Sequence, residues 1–172
     1  MPHAPALYRT AYRLIGGPED AGDLVQETFL RAYRTFDNFQ PGTNEKAWLF
    51  TVLYSIASNR WRAERRAPDE VPVDDVESRF GVAMATAEAN AEQMLLARLE
   101  SSPEVDGALR ALPEAQRAAV LLVDVEELSY EEAAVALECP VGTVRSRLAR
   151  GRRQLFVSLA DYARRTGVLR DR

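Results

Sequence analysis

Five residues near the C-terminal end of the chain have side chains suited to contacting base edges and phosphates: Arg145, Ser146, Ala149, Arg150 and Arg153. Their spacing puts them on one face of a helix. Arginine presents a planar fork of donors that can bond guanine O6 and N7 or a phosphate, and alanine lets the backbone come close to a groove. This face predicts binding to duplex nucleic acid, although an arginine-rich helix taken alone would equally suit a solvated surface.

The elements that would position this face can be identified from the sequence around it. Ser129 and Glu132 have the spacing of a capping box, in which each side chain accepts the backbone N–H of the other residue, so a helix should begin there. The segment 139–142, Cys-Pro-Val-Gly, should break that helix because proline lacks a donor and glycine tolerates positive φ. A second helix is expected from near Thr143, and the pair predicts a helix-turn-helix. The packing stripe of the second helix would be Val144, Leu148, Gly151 and Leu155.

A polar stripe runs along another helix, expected between about Lys46 and Arg62. Small hydrogen-bonding side chains beside aromatic rings suit unstacked single-stranded bases, whose edges bond and whose faces stack, while arginines can hold the phosphates. The same stripe would also fit an ordinary solvated surface. Its members are Thr51, Ser55, Ser58, Asn59 and Arg62, flanked by Trp48 and Trp61.

The composition argues against several classes of site. One cysteine and one histidine in 172 residues cannot build a cysteine and histidine metal cluster or a Cys-His catalytic pair. The longest apolar run, residues 118–123, is far shorter than the roughly 20 residues that span a bilayer, and the N-terminus lacks a secretion signal. We therefore expect a cytoplasmic protein that is not an enzyme, needs no cofactor or metal and does not insert into a membrane.

The net charge of −4 hides a strong polarity along the chain. Residues 145–172 contain nine arginines against Asp161 and Asp171, a net charge of +7. Residues 67–106 contain ten carboxylates against Arg79 and Arg98, a net charge of −8. Because a polyanion responds to local charge and not to the total, the basic end agrees with the predicted nucleic-acid face.

Periodicity predicts an all-α fold with two small helical domains. In the first, residues 1–66, a helix from Leu7 to Ile15 is followed by a helix that Pro18 begins and by a third that ends near Arg62. The buried stripe expected on the second helix is Val25, Phe29, Ala32, Tyr33 and Phe36.

The two domains are expected to be joined by an acidic linker, residues 67–103, which contains prolines and carboxylates with little periodicity. A further helix is expected within it, over residues 84–100. The second domain, residues 104–172, should contain four helices and a short basic tail. These helices are one over 105–112, one from Pro113 to about Val125, and the two of the helix-turn-helix.

Long motifs in both domains resemble the extracytoplasmic-function sigma factors, the small two-domain promoter-specificity subunits of bacterial RNA polymerase. The resemblance covers about residues 7–155. It implies a protein that docks on core polymerase, reads a minus-35 duplex and captures a melted minus-10 strand, while polymerase performs the chemistry. The motifs are DLVQETFLRAYRTFDNF at 23–39, KAWLFTVLYSIASNRWR at 46–62, LPEAQRAAVLL at 112–122 and LSYEEAAVALECPVGTVRSRLARGR at 128–152.

The resemblance implies roles for individual residues. It assigns docking on the clamp helices of the largest polymerase subunit to Asp23, Gln26 and Glu27. Phe39 and its loop match the segment that receives a base flipped out of the minus-10 element. The third helix would support this recognition through Ser55, Asn59 and Arg62, with Trp48 packing beneath the loop. The residues that match minus-35 reading are Arg145, Ser146, Ala149 and Arg150.

The family also implies partners and shows where this chain departs from its pattern. The partners are core polymerase, including the flap of the second largest subunit, promoter DNA in duplex and single-stranded form, and an anti-sigma protein. Many relatives carry asparagine where this chain has Ser55, so base discrimination there is open to test. The first helix starts closer to the N-terminus than is usual, which suggests a truncated start or a trimmed first domain. We also hypothesise that the acidic linker mimics nucleic acid inside polymerase.

Two other classes of function compete with this interpretation. An autonomous helix-turn-helix regulator would bind operator DNA as a dimer and would explain the C-terminal half, but it leaves the first domain without a role. Such a protein should bind duplex DNA tightly without polymerase and should sediment as a dimer. An enzyme is disfavoured because the sequence contains no phosphate-cradling glycine loop, metal-ligand spacing or plausible histidine base.

Overall fold

The structure is a computed structural model that describes residues 2–65 and 102–165, apart from the side chains of residues 161 and 163. All regular elements in these two ranges are helices, which confirms the predicted all-α fold. The linker up to residue 101, with the helix expected over 84–100, and the tail beyond residue 165 lie outside the described residues. Within the described ranges, no helix is both long and apolar enough to cross a membrane.

Three helices and one 3₁₀ turn make up the first half of the structure. The first helix ends where Gly16 takes the left-handed conformation, with φ 96°, and donates its N–H to the Tyr12 carbonyl. The second begins at Pro18, because the first turn of a helix does not need the N–H that proline lacks. These elements are α1 (Ala4–Ile15), α2 (Pro18–Arg34), the 3₁₀ turn (Phe36–Asn38) and α3 (Glu45–Arg65).

The buried face of α2 differs from the predicted one. Tyr33 is 85% exposed and Phe36 is 58% exposed, so these two predicted core positions were wrong. One residue turns a helix by about 100°, which carries Tyr33 away from the face of buried Ala32, and α2 ends before it reaches Phe36. The side chains that do face the core are Ala21, Leu24, Val25, Thr28 and Ala32.

The second half contains the four helices that the sequence predicts, but one of them is not uniform. The helix expected from Pro113 to Val125 changes its winding at Leu121, from α-helical to a single π-helical turn. Within that turn the Glu126 N–H donates to the Leu121 carbonyl, five residues back, at 2.9 Å. The elements are α4 (Pro103–Ala111), α5 (Glu114–Val120), the π turn (Leu121–Val125), α6 (Tyr130–Ala136) and α7 (Val141–Arg165).

The long helix α7 packs on α5 at a glycine. A Cβ atom on Gly151 would lie 2.8 Å from Val120 Cγ2 and 3.4 Å from the Gln116 carbonyl oxygen, closer than a side chain tolerates. Val144 and Leu148, which precede Gly151 on the same stripe, are fully buried. The absence of a side chain at Gly151 therefore lets the two helix backbones approach and fixes how α7 presents its opposite face.

The two halves pack against each other. Helix α3 contacts α6, and α1 contacts both α4 and α5. The buried apolar side chains of both halves belong to one continuous cluster. As a result, the first helix of the helix-turn-helix lies against α3, the helix predicted to face single-stranded bases.

Candidate nucleic-acid interface

The predicted base-reading face of α7 points to solvent. Arg145, Ala149, Arg150 and Arg153 are exposed, whereas Ser146 is half-buried. The Ser146 hydroxyl donates to the Thr143 carbonyl at 3.0 Å, one turn back along the helix. The face therefore presents three guanidinium groups around a small central residue, an arrangement that a DNA groove can approach closely.

The capping box that begins α6 is present as predicted. The Ser129 N–H donates to Glu132 Oε2 at 2.8 Å, and the Glu132 N–H donates to the Ser129 hydroxyl at 3.1 Å. The bond from the Ser129 N–H is the largest cause that lowers the pKa of the Glu132 carboxyl, since it stabilises the charged form. The start of the helix-turn-helix is thus fixed by local side chains.

The turn between α6 and α7 is built differently from the prediction. The residue with positive φ is Glu138, at 49°, whereas Gly142 lies inside the first turns of α7. The expectation that Gly142 supplies the unusual backbone conformation was therefore wrong. The helix ends at Ala136, where left-handed Glu138 lets the Cys139 N–H donate to the Ala134 carbonyl at 3.1 Å, and Pro140 then precedes the next helix. Cys139 is half-buried in this turn, where its sulfur accepts a hydrogen bond from Arg147 Nη1 at 3.6 Å.

Internal contacts separate the arginines of α7 into two groups. Arg152 donates through Nε and Nη2 to the carboxylate of Asp124, at 3.0 and 2.5 Å, and this partner raises its pKa. Arg147 points toward the turn, where it donates to the Cys139 sulfur. Arg145 instead lies over the ring of Tyr130, with its Cζ 5.6 Å from the centroid, which orients the guanidinium without using its donors.

The polar stripe on α3 is partly engaged in bonds of its own. Thr51 donates its hydroxyl to the Ala47 carbonyl at 3.0 Å, and Ser58 donates to the Ser55 carbonyl at 3.1 Å. Asn59 and Arg62 are exposed and Ser55 is half-buried. Arg62 Nη2 also donates to the Ser58 hydroxyl at 3.2 Å. Contact of Ser55, Asn59 and Arg62 with a nucleic acid stays a prediction.

Three aromatic rings form a cluster where the loop after α2 meets α3. The Phe36 and Phe39 rings stack with their centroids 5.8 Å apart, and Trp48 lies 5.2 Å from Phe39. Phe39 and Trp48 are half-buried, so Trp48 packs beneath the loop as expected. Phe36 is the exposed member, which sequence reasoning missed because it assigned this residue to the core.

The predicted docking residues share an exposed face of α2. Asp23, Gln26 and Glu27 are all exposed, and Glu27 accepts a hydrogen bond from Arg60 Nη2 of α3 at 2.7 Å. Leu30 is 44% exposed on the next turn of the same face, and Tyr33 lies beyond it. The exposure of these apolar neighbours was not predicted. Their spacing could have indicated it, because they follow Gln26 and Glu27 at helical intervals.

The polar stripe on α3 faces the second half across a cleft, and the predicted base-reading residues of α7 are not among those that line it. A cleft of about 380 Å³ separates α3 from the helix-turn-helix. Tyr54 lies in this cleft, and burial raises the pKa of its hydroxyl although nearby Arg147 opposes the shift. The cleft is lined on one side by Tyr54, Ser58, Trp61, Arg62 and Arg65 and on the other by Glu114, Ala115, Leu137, Glu138 and Arg147.

Comparisons with known proteins agree with the motifs. Residues 1–67 match the family model "Sigma-70 region 2", and residues 103–155 match "Sigma-70, region 4". The ECF RNA polymerase sigma factor SigE of Mycolicibacterium smegmatis is 41% identical over 165 residues, covering 95% of this chain and 61% of SigE. EcfG of Rhodopseudomonas palustris is 41% identical over 155 residues, covering 90% of this chain and 80% of EcfG. This chain therefore spans less than two thirds of the length of SigE.

Solved structures share the architecture. The sigma factor RpoE of Bartonella quintana, crystallised with the anti-sigma factor NepR, superposes with a TM-score of 0.68 at 31% identity, covering 91% of each chain. CnrH, solved with the cytosolic domain of CnrY, superposes with a TM-score of 0.60 at 24% identity and supports the fold alone. Two family models in the order of the two halves, and relatives more than 30% identical along most of the chain, establish the family. The chain belongs to the extracytoplasmic-function sigma factors of the sigma-70 family.

Proposed function

We propose that this chain directs core RNA polymerase to promoters through two separate contacts with DNA. Arg145, Ser146, Ala149 and Arg150 read the minus-35 duplex in the major groove, and Ser55, Asn59 and Arg62 with the Phe39 loop hold the melted minus-10 strand. The observation that carries this proposal is the co-occurrence in one chain of an exposed basic recognition helix and a polar helix bordered by aromatic rings. A dimeric operator-binding regulator has no use for the second feature.

The aromatic cluster gives strand capture an energetic basis. Flipping a base out of the duplex costs a few kcal/mol, and stacking on an aromatic side chain returns about 1–3 kcal/mol per base. Phe36 is exposed and stacked on Phe39, so it extends the surface available to a flipped base. Arg62 lies on the same helix as Ser55 and Asn59 and can hold the adjacent phosphate.

Docking on polymerase is proposed for the exposed face of α2. Asp23, Gln26 and Glu27 supply polar and acidic contacts for the clamp helices, and Leu30 adds apolar area beside them. The second half would contact the flap of the second largest subunit. In this scheme the chain acts in the cytoplasm, performs no chemistry and leaves bond formation to polymerase.

The domain limits and one further partner are also part of the proposal. Residues 1–66 would dock on core polymerase and melt the minus-10 DNA. Residues 67–103 would connect the two domains, and residues 104–172 would read the minus-35 element. An anti-sigma protein is proposed as a partner, because a sigma factor 31% identical to this chain was solved in complex with one. The acidic linker would substitute for nucleic acid inside polymerase, and neutralising Asp69, Glu70, Asp74, Asp75 and Glu77 should then alter abortive initiation.

In vitro transcription with core polymerase tests the main proposal. On a pool of genomic fragments, the chain should produce transcripts from a defined set of promoters. Asn59→Ala should reduce open-complex formation, and Arg145→Ala should shift which promoters are used. Arg165→Ala is the matched control, since it removes an arginine from the same helix about 30 Å from Arg145. Duplex binding by a dimer of the pure protein, without promoter-specific transcripts, would establish the regulator instead.

A further inference from the structure

We infer that the cleft between α3 and the helix-turn-helix is a binding site for a free nucleoside diphosphate. Its volume of about 380 Å³ lies within the range of roughly 300–1,000 Å³ that is typical of small-molecule sites. Aromatic rings, guanidinium groups and a carboxylate border this cleft, and both halves of the chain contribute to it. Groups of these three kinds contact the base, the phosphates and the ribose of a nucleotide.

Two aromatic rings form the part of the cleft that suits a base. Tyr54 and Trp61 meet edge to face, with their centroids 5.9 Å apart and their planes at 72°. Both side chains are half-buried, so each ring is held by its neighbours while part of it borders the cleft. An edge-to-face pair covers less of each ring than a stacked pair does, and a planar base can stack on a ring face that stays open.

Three guanidinium groups form the part of the cleft that suits phosphates. Arg62 and Arg65 lie about one turn apart on α3, and Arg147 comes from α7 on the opposite wall. Arg62 donates through Nη2 to the Ser58 hydroxyl at 3.2 Å. Arg65 donates through Nη2 to the Glu114 carboxylate. Each of these bonds uses one of the five N–H donors of a guanidinium, so donors remain that can bind phosphate oxygens.

Guanidinium groups from both walls act on one point, the Tyr54 hydroxyl. Burial raises the pKa of this hydroxyl, whereas Arg147 of α7 and Arg62 of α3 both oppose the shift. Two positive groups on different helices are therefore near enough to influence the same oxygen atom. A phosphate placed there would pair with both, and it would accept a hydrogen bond from the hydroxyl, which the raised pKa keeps protonated.

The acidic residues of the cleft fit a nucleotide better than a bare anion. Glu114 is paired with Arg65. Glu138, an exposed residue of the opposite wall, adds a carboxylate of the kind that accepts ribose hydroxyls in dinucleotide sites. Three guanidinium groups against these two carboxylates leave the cleft with a net charge of +1, which favours an anionic ligand.

The shape of the cleft favours a free nucleotide over a nucleotide within a strand. Grooves that bind single strands track the backbone over roughly four nucleotides or more. This cleft instead has walls on two sides, α3 on one and α5 with the helix-turn-helix on the other, and its volume is that of a site for one small molecule. Asn59, the exposed amide of the polar stripe, does not line it. The cleft and the face proposed to hold a strand therefore overlap without coinciding.

Titration calorimetry of the full chain with ADP, in EDTA so that no metal ion takes part, tests the site directly. ADP should bind at one site per chain. Adenosine and inorganic pyrophosphate should each bind at least about tenfold more weakly, because each makes only part of the contacts. In the Trp48→Phe variant Trp61 is the one remaining tryptophan of the chain, so ADP should quench the tryptophan fluorescence and pyrophosphate should not.

Variants from the two walls show whether both contribute. Arg62→Ala and Arg147→Ala should each weaken ADP binding about tenfold, and two are used so that one which fails to fold, as judged by its helical spectrum, does not decide the result. Arg153→Ala is the matched control, since it removes the same charge from α7 at a residue that does not line the cleft. No saturable binding of millimolar ADP would overturn the site. Pyrophosphate binding as tight as that of ADP, or equal losses in Arg147→Ala and Arg153→Ala, would overturn it as well.

The site has a consequence for strand capture, and only this consequence rests on the proposed function. Arg62 also belongs to the face proposed to hold the minus-10 strand, so bound ADP should compete with the strand for one guanidinium. ADP should therefore slow open-complex formation by the parent chain and not by Arg147→Ala, and equal slowing of both would overturn the competition. Asn59→Ala should impair open-complex formation with unchanged ADP affinity. ADP binding by a chain that supports no promoter-specific transcription would refute the proposed function and leave the site standing.

Discussion

At the scale of single residues, Arg145 and Tyr130 form a cation–π pair on the proposed recognition face. The arginine lies over the tyrosine ring, so its donors project from an oriented platform. Such a contact is worth about 0.5–1 kcal/mol at an exposed site, which corresponds to a few-fold in an equilibrium constant.

We expect Tyr130→Leu to weaken binding to the minus-35 duplex by about two- to fivefold, because Arg145 loses its platform. Arg145→Ala should cost about 1–3 kcal/mol and relax selectivity at one base pair if the residue reads a base. Competition binding with single-base-substituted duplexes measures both effects. In an Arg145→Ala background, Tyr130→Leu should change nothing further, and an undiminished effect there would show that Tyr130 acts by another route.

Glu132 predicts a pH dependence of stability. Its folded-state pKa is lowered, chiefly by the Ser129 N–H, so its contribution is complete above the ordinary Glu pKa of about 4.3 and is lost as pH falls through the lowered folded value. Glu132→Gln should therefore be less stable than the parent chain at pH 7 by well under about 1 kcal/mol, and the difference in stability should be smaller at pH 3. Urea unfolding at both pH values measures the difference. A difference in the free energy of unfolding that is equal at pH 7 and pH 3 would contradict the stabilising role of the Glu132 carboxylate.

At the scale of elements, the spacing between α5 and α7 is set by Gly151. Gly151→Ala places a methyl group 2.8 Å from Val120 Cγ2, and the strain should lower the free energy of unfolding by about 1–3 kcal/mol. Gly107→Ala is the matched control, since Gly107 lies in α4 with nothing within 4 Å of its added Cβ. That control should stabilise the chain by up to about 1 kcal/mol, because alanine favours a helix. Equal effects of the two substitutions would exclude the close approach as the cause.

Individual helices were predictable because their determinants are local. The capping box at Ser129, the proline that begins α2 and the stripe around Leu148 all act within a few residues. The assignment of Tyr33 and Phe36 to the core failed for a physical reason. Several apolar stripes fit α2 equally well, and only the neighbouring helices decide which one is buried.

At the scale of the whole molecule, the halves should unfold together. Their buried apolar side chains form one cluster, and Glu126 is buried with partners that belong to the first half. Lys46→Met should lower the midpoint of thermal unfolding by about 5 °C and split one calorimetric transition into two, because it leaves the carboxylate underpaired. Calorimetry measures this through the ratio of van't Hoff to calorimetric enthalpy. A ratio that stays at one in the variant would show that the apolar cluster alone couples the halves.

The contact between the halves could not be predicted from the sequence. Thr10 and Glu126 are 116 positions apart, and Arg13 and Asp106 are 93 positions apart, so no periodicity or motif links them. The exposed aromatic surface around Phe36 was missed for the same reason, since its exposure depends on how the elements pack.

The π turn at Leu121–Val125 gives this chain an unusual evolutionary property. A π turn is an α-helix with one residue inserted, and its removal would rotate everything downstream by about 100°. Deleting one codon there would swing Glu126 out of reach of Thr10 and Lys46 while leaving every interface residue unchanged. Related chains could therefore gain or lose the contacts of Glu126 with Thr10 and Lys46 by insertion or deletion rather than by substitution, and helix length at this point would distinguish the two kinds.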